Sequence, residues 1–87
     1  MKVADGFTLK TIADTHVLVP LGSNVVSFRS IVSLSESGAF LWKQLETDKT
    51  EDELVAALTT EYDIDEQTAR TDIQEFIENM KKANLIV

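Results

Sequence analysis

The period of the hydrophobic pattern changes between Ile31 and Trp42, and this change constrains the fold more than any other feature of the chain. Up to Leu34 the apolar residues form short β-like segments, whereas after Ser35 they recur at helical spacing. Ser35 stands at the change, and its hydroxyl can accept a hydrogen bond from a free backbone N–H of a first helical turn. A sheet followed by helices, which is an α+β fold, is therefore predicted.

Strands are predicted only before this change. The first covers residues 7–12, a turn follows at residues 13–14, and the second strand covers residues 15–21. Residues 25–34 are compatible with one bulged strand or with a small hairpin, and we favour a short final strand at residues 31–34.

Three helices are predicted after the change. The first covers residues 35–45, and the second begins at Thr50, which forms the pattern of a capping box with Glu53. Asp65 can cap the third helix, and Asn84 can adopt the left-handed conformation that ends it. The apolar stripe of the third helix consists of Ala69, Ile73, Phe76, Ile77 and Met80.

The charge of the chain is distributed unevenly. The net charge over 87 residues is −7, with four basic and three acidic residues in residues 1–45 but four basic and twelve acidic residues afterwards. Nucleic-acid binding needs a positive surface that displaces counterions from phosphates, so this balance argues against a nucleic-acid partner. The acidic half is either a solvated helical surface or a surface that attracts a basic partner segment.

Composition and motifs indicate a non-enzymatic protein without a cofactor. The chain has no cysteine and a single histidine, His16, with no spaced partner set for a metal. Acidic pairs stand at helix starts, where capping and the helix dipole explain them. The start lacks the pattern of a signal peptide, and no apolar run is long enough for a membrane span. We expect one cytoplasmic domain over residues 1–87, with no membrane partner.

Six segments in a fixed order connect the chain to a known family. They are VLVP at residues 17–20, LSESGAFLW at 34–42, TEDELV at 50–55, YDID at 62–65, TDIQEF at 71–76 and KANL at 82–85. In the order and spacing of these segments the chain resembles the PqqD-like family, also called RiPP recognition elements. These proteins bind leader peptides of ribosomally made, post-translationally modified peptides (RiPPs).

The resemblance implies a winged-helix-like α+β fold, with a three-stranded antiparallel sheet followed by three helices. It also implies that the leader pairs with the third strand and lies against exposed positions that flank the stripe of the third helix. The candidate peptide-binding residues are Ile31, Val32 and Ser33 on the strand and Arg70, Ile73, Gln74 and Ile77 on the helix. If the Val32 N–H faces the peptide, a Val32→Pro substitution should block strand addition.

Three functional hypotheses follow. The first is a peptide chaperone that binds a leader by strand addition and presents it to a modifying enzyme, for which a radical S-adenosylmethionine (SAM) enzyme is one candidate. The second is a winged-helix nucleic-acid binder, and the third is a regulatory subunit that docks on a larger enzyme through its acidic face. A monomer and a homodimer are both compatible with the sequence, because an exposed strand edge can pair with itself.

Overall fold

The computed structural model describes residues 1–21 and 32–86, and the elements in these ranges follow the predicted order. The strands are β1 (Phe7–Ile12), β2 (Thr15–Pro20) and β3 (Val32–Leu34), and the helices are α1 (Glu36–Gln44), α2 (Glu51–Glu61) and α3 (Glu66–Lys82). The predicted α+β architecture is confirmed for the described residues. Residues 22–31 lie outside them, so the choice between a bulged strand and a hairpin in residues 25–34 stays open.

The strands form an antiparallel sheet in the order β1-β2-β3. A two-residue turn joins β1 to β2, and Ala13 at its first position has a φ of 56°, which suits the backbone twist of a tight hairpin. Leu18 of the central strand lies opposite Leu9 on one side and Val32 on the other. These three side chains face the helices and belong to the core or pack against it.

The predicted helix caps are confirmed. The hydroxyl of Ser35 accepts a hydrogen bond from the backbone N–H three residues later at 3.1 Å, and the carboxylate of Asp65 does the same at 2.8 Å. Thr50 and Glu53 form the reciprocal capping box, with distances of 3.0 and 3.2 Å. The hydrogen bond from the Thr50 backbone N–H is the main cause that lowers the pKa of the Glu53 carboxyl group. Hydrogen bonding with Thr68 likewise lowers the pKa of the Asp65 carboxyl group.

The C-terminal segment folds back onto the core. Asn84 has a φ of 59°, the left-handed conformation predicted for the residue that ends α3. This reversal buries Leu85 completely and lets Ile86 form a β-bridge with Val3. The N-terminal ammonium of Met1 adds an ion pair with Asp48 at 2.6 Å.

The core lies between the sheet and the helices. Its largest fully buried side chains are Leu18, Leu41, Leu45, Leu54, Leu58, Ile73 and Leu85. Trp42 is also buried, and Phe40 packs edge-to-face against Tyr62 with 5.8 Å between ring centroids. The stripe predicted for α3 is confirmed as its core-facing side, with only Phe76 left half-buried. Among the described residues, no helix is long and apolar enough to cross a membrane.

Candidate functional site

Among the described residues no strand pairs with the outer edge of β3, which we call the free edge, and one hydrogen bond of the sheet shows which backbone groups of β3 face it. Antiparallel strands exchange hydrogen bonds at every second residue pair. The Leu21 N–H donates a hydrogen bond to the Gly6 carbonyl at 2.7 Å, so Gly6 and Leu21 form a hydrogen-bonded residue pair. Counting back along the β1–β2 register, the bonded pairs occur at residues 19, 17 and 15 of β2. Residues 16, 18 and 20 therefore direct their backbone groups toward β3.

This alternation settles the orientation of β3. His16 lies opposite Leu34 and Leu18 lies opposite Val32, so Leu34 and Val32 direct their N–H and C=O groups at β2. Ser33 lies between them, and its N–H and C=O point away from β2 toward the free edge. The condition for the Val32→Pro test is therefore not met, because the Val32 N–H faces β2. The residue that can pair with an added strand is Ser33, whose side chain is also exposed.

A cleft lies between the start of α1 and α3, next to the end of β3. Gly38 lies where the three elements meet, because a methyl group added there would be 3.5 Å from Leu34 Cβ and 3.6 Å from Phe76 Cε1. The cleft has a volume of about 310 Å³, and its lining residues are Ser35, Ser37, Gly38, Leu41, Asp72, Glu75, Phe76 and Asn79. We call this cleft, together with the outward edge at Ser33, the β3–α3 groove. Leu41 and Phe76 give it an apolar floor, and polar side chains form its rim.

A second cleft continues from the groove toward the β1–β2 turn and shares Ser35 with it. Its volume is about 490 Å³, and its lining residues are Thr11, Ala13, Asp14, His16, Leu34, Ser35 and Glu36. The His16 Nδ1 is 2.9 Å from the Thr11 hydroxyl. Residues 1–21 and 32–86 contain no cluster of three or more His, Asp or Glu residues that could hold a metal ion. The polar groups of this cleft can donate and accept hydrogen bonds.

The groove and the second cleft carry negative charge. Asp72 and Glu75 lie on the groove rim, and Asp14 and Glu36 line the second cleft. None of these four carboxylates takes part in an ion pair with another described residue. Among the described residues, no lysine or arginine lines either cleft. No described residue therefore neutralises the charge of these carboxylates.

The opposite flank of α3 has a different electrostatic character. Arg70 contacts Glu51 at 2.7 Å, Asp52 at 3.0 Å and Glu66 at 3.6 Å. The hydrogen bonds to Asp52 and then Glu51 raise the pKa of the Arg70 guanidinium. Because Glu51 and Asp52 belong to the first turn of α2, this network ties that helix start to α3. On this flank, therefore, the carboxylates share a counterion that the protein itself supplies.

The residues predicted to bind a peptide divide between these two flanks. Ile31 lies outside the described residues, Val32 packs on the core, and Ser33 is at the groove edge. The expectation of exposed helix positions is wrong for Ile73 and Ile77, which are 0% and 8% exposed. The predicted helix residues outside the core, Arg70 and Gln74, are on the flank of α3 that borders α2. Peptide binding by these residues stays a prediction.

The helix residues that do line the groove were missed by sequence reasoning. They are Asp72, Glu75, Phe76 and Asn79. The sequence does contain a signal for these four residues, because their three- and four-residue spacing places them on one flank of a helix. A stripe has two flanks, however, and the sequence does not indicate which one faces β3. That choice depends on the packing of α3 against elements distant in sequence.

Comparisons with known proteins identify the family and support the fold. The family model described as coenzyme PQQ synthesis protein D (PqqD) matches residues 15–86. The chain is also similar to a solved structure of TbiB1 in complex with the TbiA(beta) leader peptide, with 28% sequence identity and a TM-score of 0.76. The similarity covers 98% of this chain and 93% of TbiB1. No curated protein matches the sequence. With a match over residues 15–86, the chain belongs to the PqqD family.

Proposed function

We propose that this protein binds the leader of a ribosomally synthesised precursor peptide by strand addition in the β3–α3 groove. The observation that carries the proposal is the outward backbone edge at Ser33. It lies two residues before Ser35, which lines the cleft together with Phe76. An extended peptide can exchange backbone hydrogen bonds with Ser33 while its side chains enter the cleft. TbiB1, which shares the fold and 28% of its sequence with this chain, was solved with a leader peptide.

In this binding mode, backbone groups contribute affinity and side chains determine selectivity. Backbone hydrogen bonds to Ser33 require only an extended ligand, so they are nearly independent of the ligand sequence. Alternate side chains of an added strand point to opposite faces, and only those facing α3 can contact Phe76 and Leu41. The groove therefore selects a leader through side chains at every second position.

A presenting role fits the chemistry of the site better than catalysis. The groove contains hydroxyls, carboxylates and an aromatic ring, without a nucleophile paired to a base among its described residues. We infer that the protein holds the leader while a separate enzyme, for which a radical SAM enzyme is a candidate, modifies the core peptide. We place this step in the cytoplasm, where the ribosome makes the precursor, with one domain acting as a monomer or homodimer.

Fluorescence anisotropy tests this function directly. A synthetic, labelled leader of the precursor peptide encoded beside this gene should bind saturably. A labelled DNA duplex should show no binding at low salt, because the acidic helices repel phosphates. Salt-dependent binding of the duplex without binding of the leader would instead support the nucleic-acid hypothesis. Stable co-purification with a larger enzyme in the absence of leader, with no leader binding, would support the regulatory-subunit hypothesis.

A further inference from the structure

We propose that the leader segment bound in the β3–α3 groove carries a lysine or arginine that pairs with Asp72 and Glu75. This inference rests on the proposed function and specifies the chemistry of the ligand. The site is the groove itself, with its strand edge and apolar floor. The two carboxylates lie three residues apart on α3, both are exposed, and both line the groove beside Phe76.

The local charge supports a cationic ligand group. Asp72 and Glu75 form no ion pair with the described residues, and the adjoining cleft adds Asp14 and Glu36. On the other flank of α3, Arg70 supplies a counterion to three carboxylates. A cationic side chain in the groove would therefore meet negative charge that no described residue neutralises, whereas an acidic one would be repelled.

The geometry of an added strand also allows this pairing. Side chains two positions apart lie on the same face of a strand, so an apolar residue over Phe76 and a basic residue can both face α3. Lysine and arginine have long apolar stems, which can lie along the groove while the charged group reaches the exposed rim. The expected ligand pattern is an apolar and a basic residue separated by an even number of positions.

A peptide selection tests the inference without knowledge of the natural leader. The probe is a display library of random linear 12-residue peptides, selected on the intact wild-type protein and on an Asp72→Asn/Glu75→Gln variant. An Asp63→Asn/Glu78→Gln variant is the control, because it removes the same charge from exposed positions outside the groove. Circular dichroism checks that all three proteins fold.

The outcomes distinguish the inference from the proposed function. Wild-type and control proteins should select peptides with the apolar–basic pattern, and the groove variant should lose the basic preference and bind those peptides about tenfold more weakly. Each exposed ion pair should contribute a factor of about two to five to the affinity, and the factors of the two pairs multiply. Selection of apolar peptides without a basic residue, or the same basic preference in the groove variant, would overturn the inference but leave the function intact. Failure to select any peptide would count against the function itself.

Discussion

The two flanks of α3 border clefts of similar size but use their charges differently. The cleft toward β3 has a volume of about 310 Å³ and is lined by Asp72 and Glu75, which form no ion pair with another described residue. The cleft toward α2 has a volume of about 340 Å³ and is lined by Ile77 and by Glu51, which is bonded to Arg70. The charges of the α2-facing flank thus join two helices, whereas the carboxylates of the β3-facing flank have no ion-pair partner among the described residues. A charged residue on a helix indicates a binding site only when the fold has not already provided its counterion.

The largest effects are expected from truncating one apolar residue on each flank of α3. Truncation of Ile77 should mainly reduce stability, and truncation of Phe76 should mainly reduce peptide binding. Ile77→Ala should lower the free energy of unfolding by about 2–4 kcal/mol, because it leaves a cavity in the core. Phe76→Ala should cost less stability, about 2 kcal/mol, because the ring is half-buried. Peptide affinity should nevertheless fall only in Phe76→Ala. Urea denaturation gives the stabilities, and anisotropy below the unfolding transition gives the affinities. Equal loss of affinity in both variants would contradict the assignment of peptide binding to the β3-facing flank alone.

A proline at the groove edge should remove binding with little effect on folding. Ser33→Pro deletes the outward N–H and places a ring where the peptide backbone would lie, so affinity should fall at least about tenfold. An edge strand tolerates proline where its N–H faces solvent. Thr11→Pro is the matched control, since alternation directs its N–H to the opposite edge of the sheet. A titration in which Ser33→Pro binds as tightly as Thr11→Pro would show that the peptide does not pair with β3.

Replacing the arginine of the α2-facing flank should affect stability but not binding. Arg70→Met keeps much of the apolar stem and leaves Glu51, Asp52 and Glu66 without their counterion. The Tm should decrease by less than in Ile77→Ala, and the difference from the wild type should shrink at high salt, which screens exposed charges. Calorimetry at two salt concentrations measures both effects. A loss of peptide affinity in Arg70→Met would place Arg70 in the binding site after all.

The helix caps should give the smallest effect, and it should depend on pH. The hydrogen bonds at Asp65 lower its pKa in the folded protein below its usual value of 3.8. Its contribution to stability is therefore complete above that value and is lost as the pH falls through the lowered folded pKa. Asp65→Asn keeps a capping oxygen without the titrating charge, so its stability should fall less steeply in acid. Thermal unfolding of both proteins between neutral pH and pH 3, about one unit below the usual Asp pKa, measures the difference.

The sequence predicted local features well and long-range ones poorly. Ser35, Thr50 and Asp65 act on backbone groups three residues away, so their caps can be identified from short motifs. Arg70 is a predicted peptide-binding residue, and no local pattern indicated its ion pairs with Glu51 and Asp52, which are 19 and 18 residues away. The outward direction of Ser33 likewise depends on the phase of hydrogen bonding across the whole sheet. These features follow from packing and register, which a single strand or helix pattern does not contain.

Amide chemical shifts of the ¹⁵N-labelled protein, titrated with the synthetic leader, show directly whether the β3–α3 groove is the leader site. We expect the largest changes at Ser33 and on the β3-facing flank of α3, at Asp72, Phe76 and Asn79, with slowed exchange of the Ser33 N–H. The amides of Arg70 and Gln74 should change little. Changes concentrated on Arg70 and Gln74, with Ser33 unaffected, would contradict the assignment of the β3–α3 groove as the leader site.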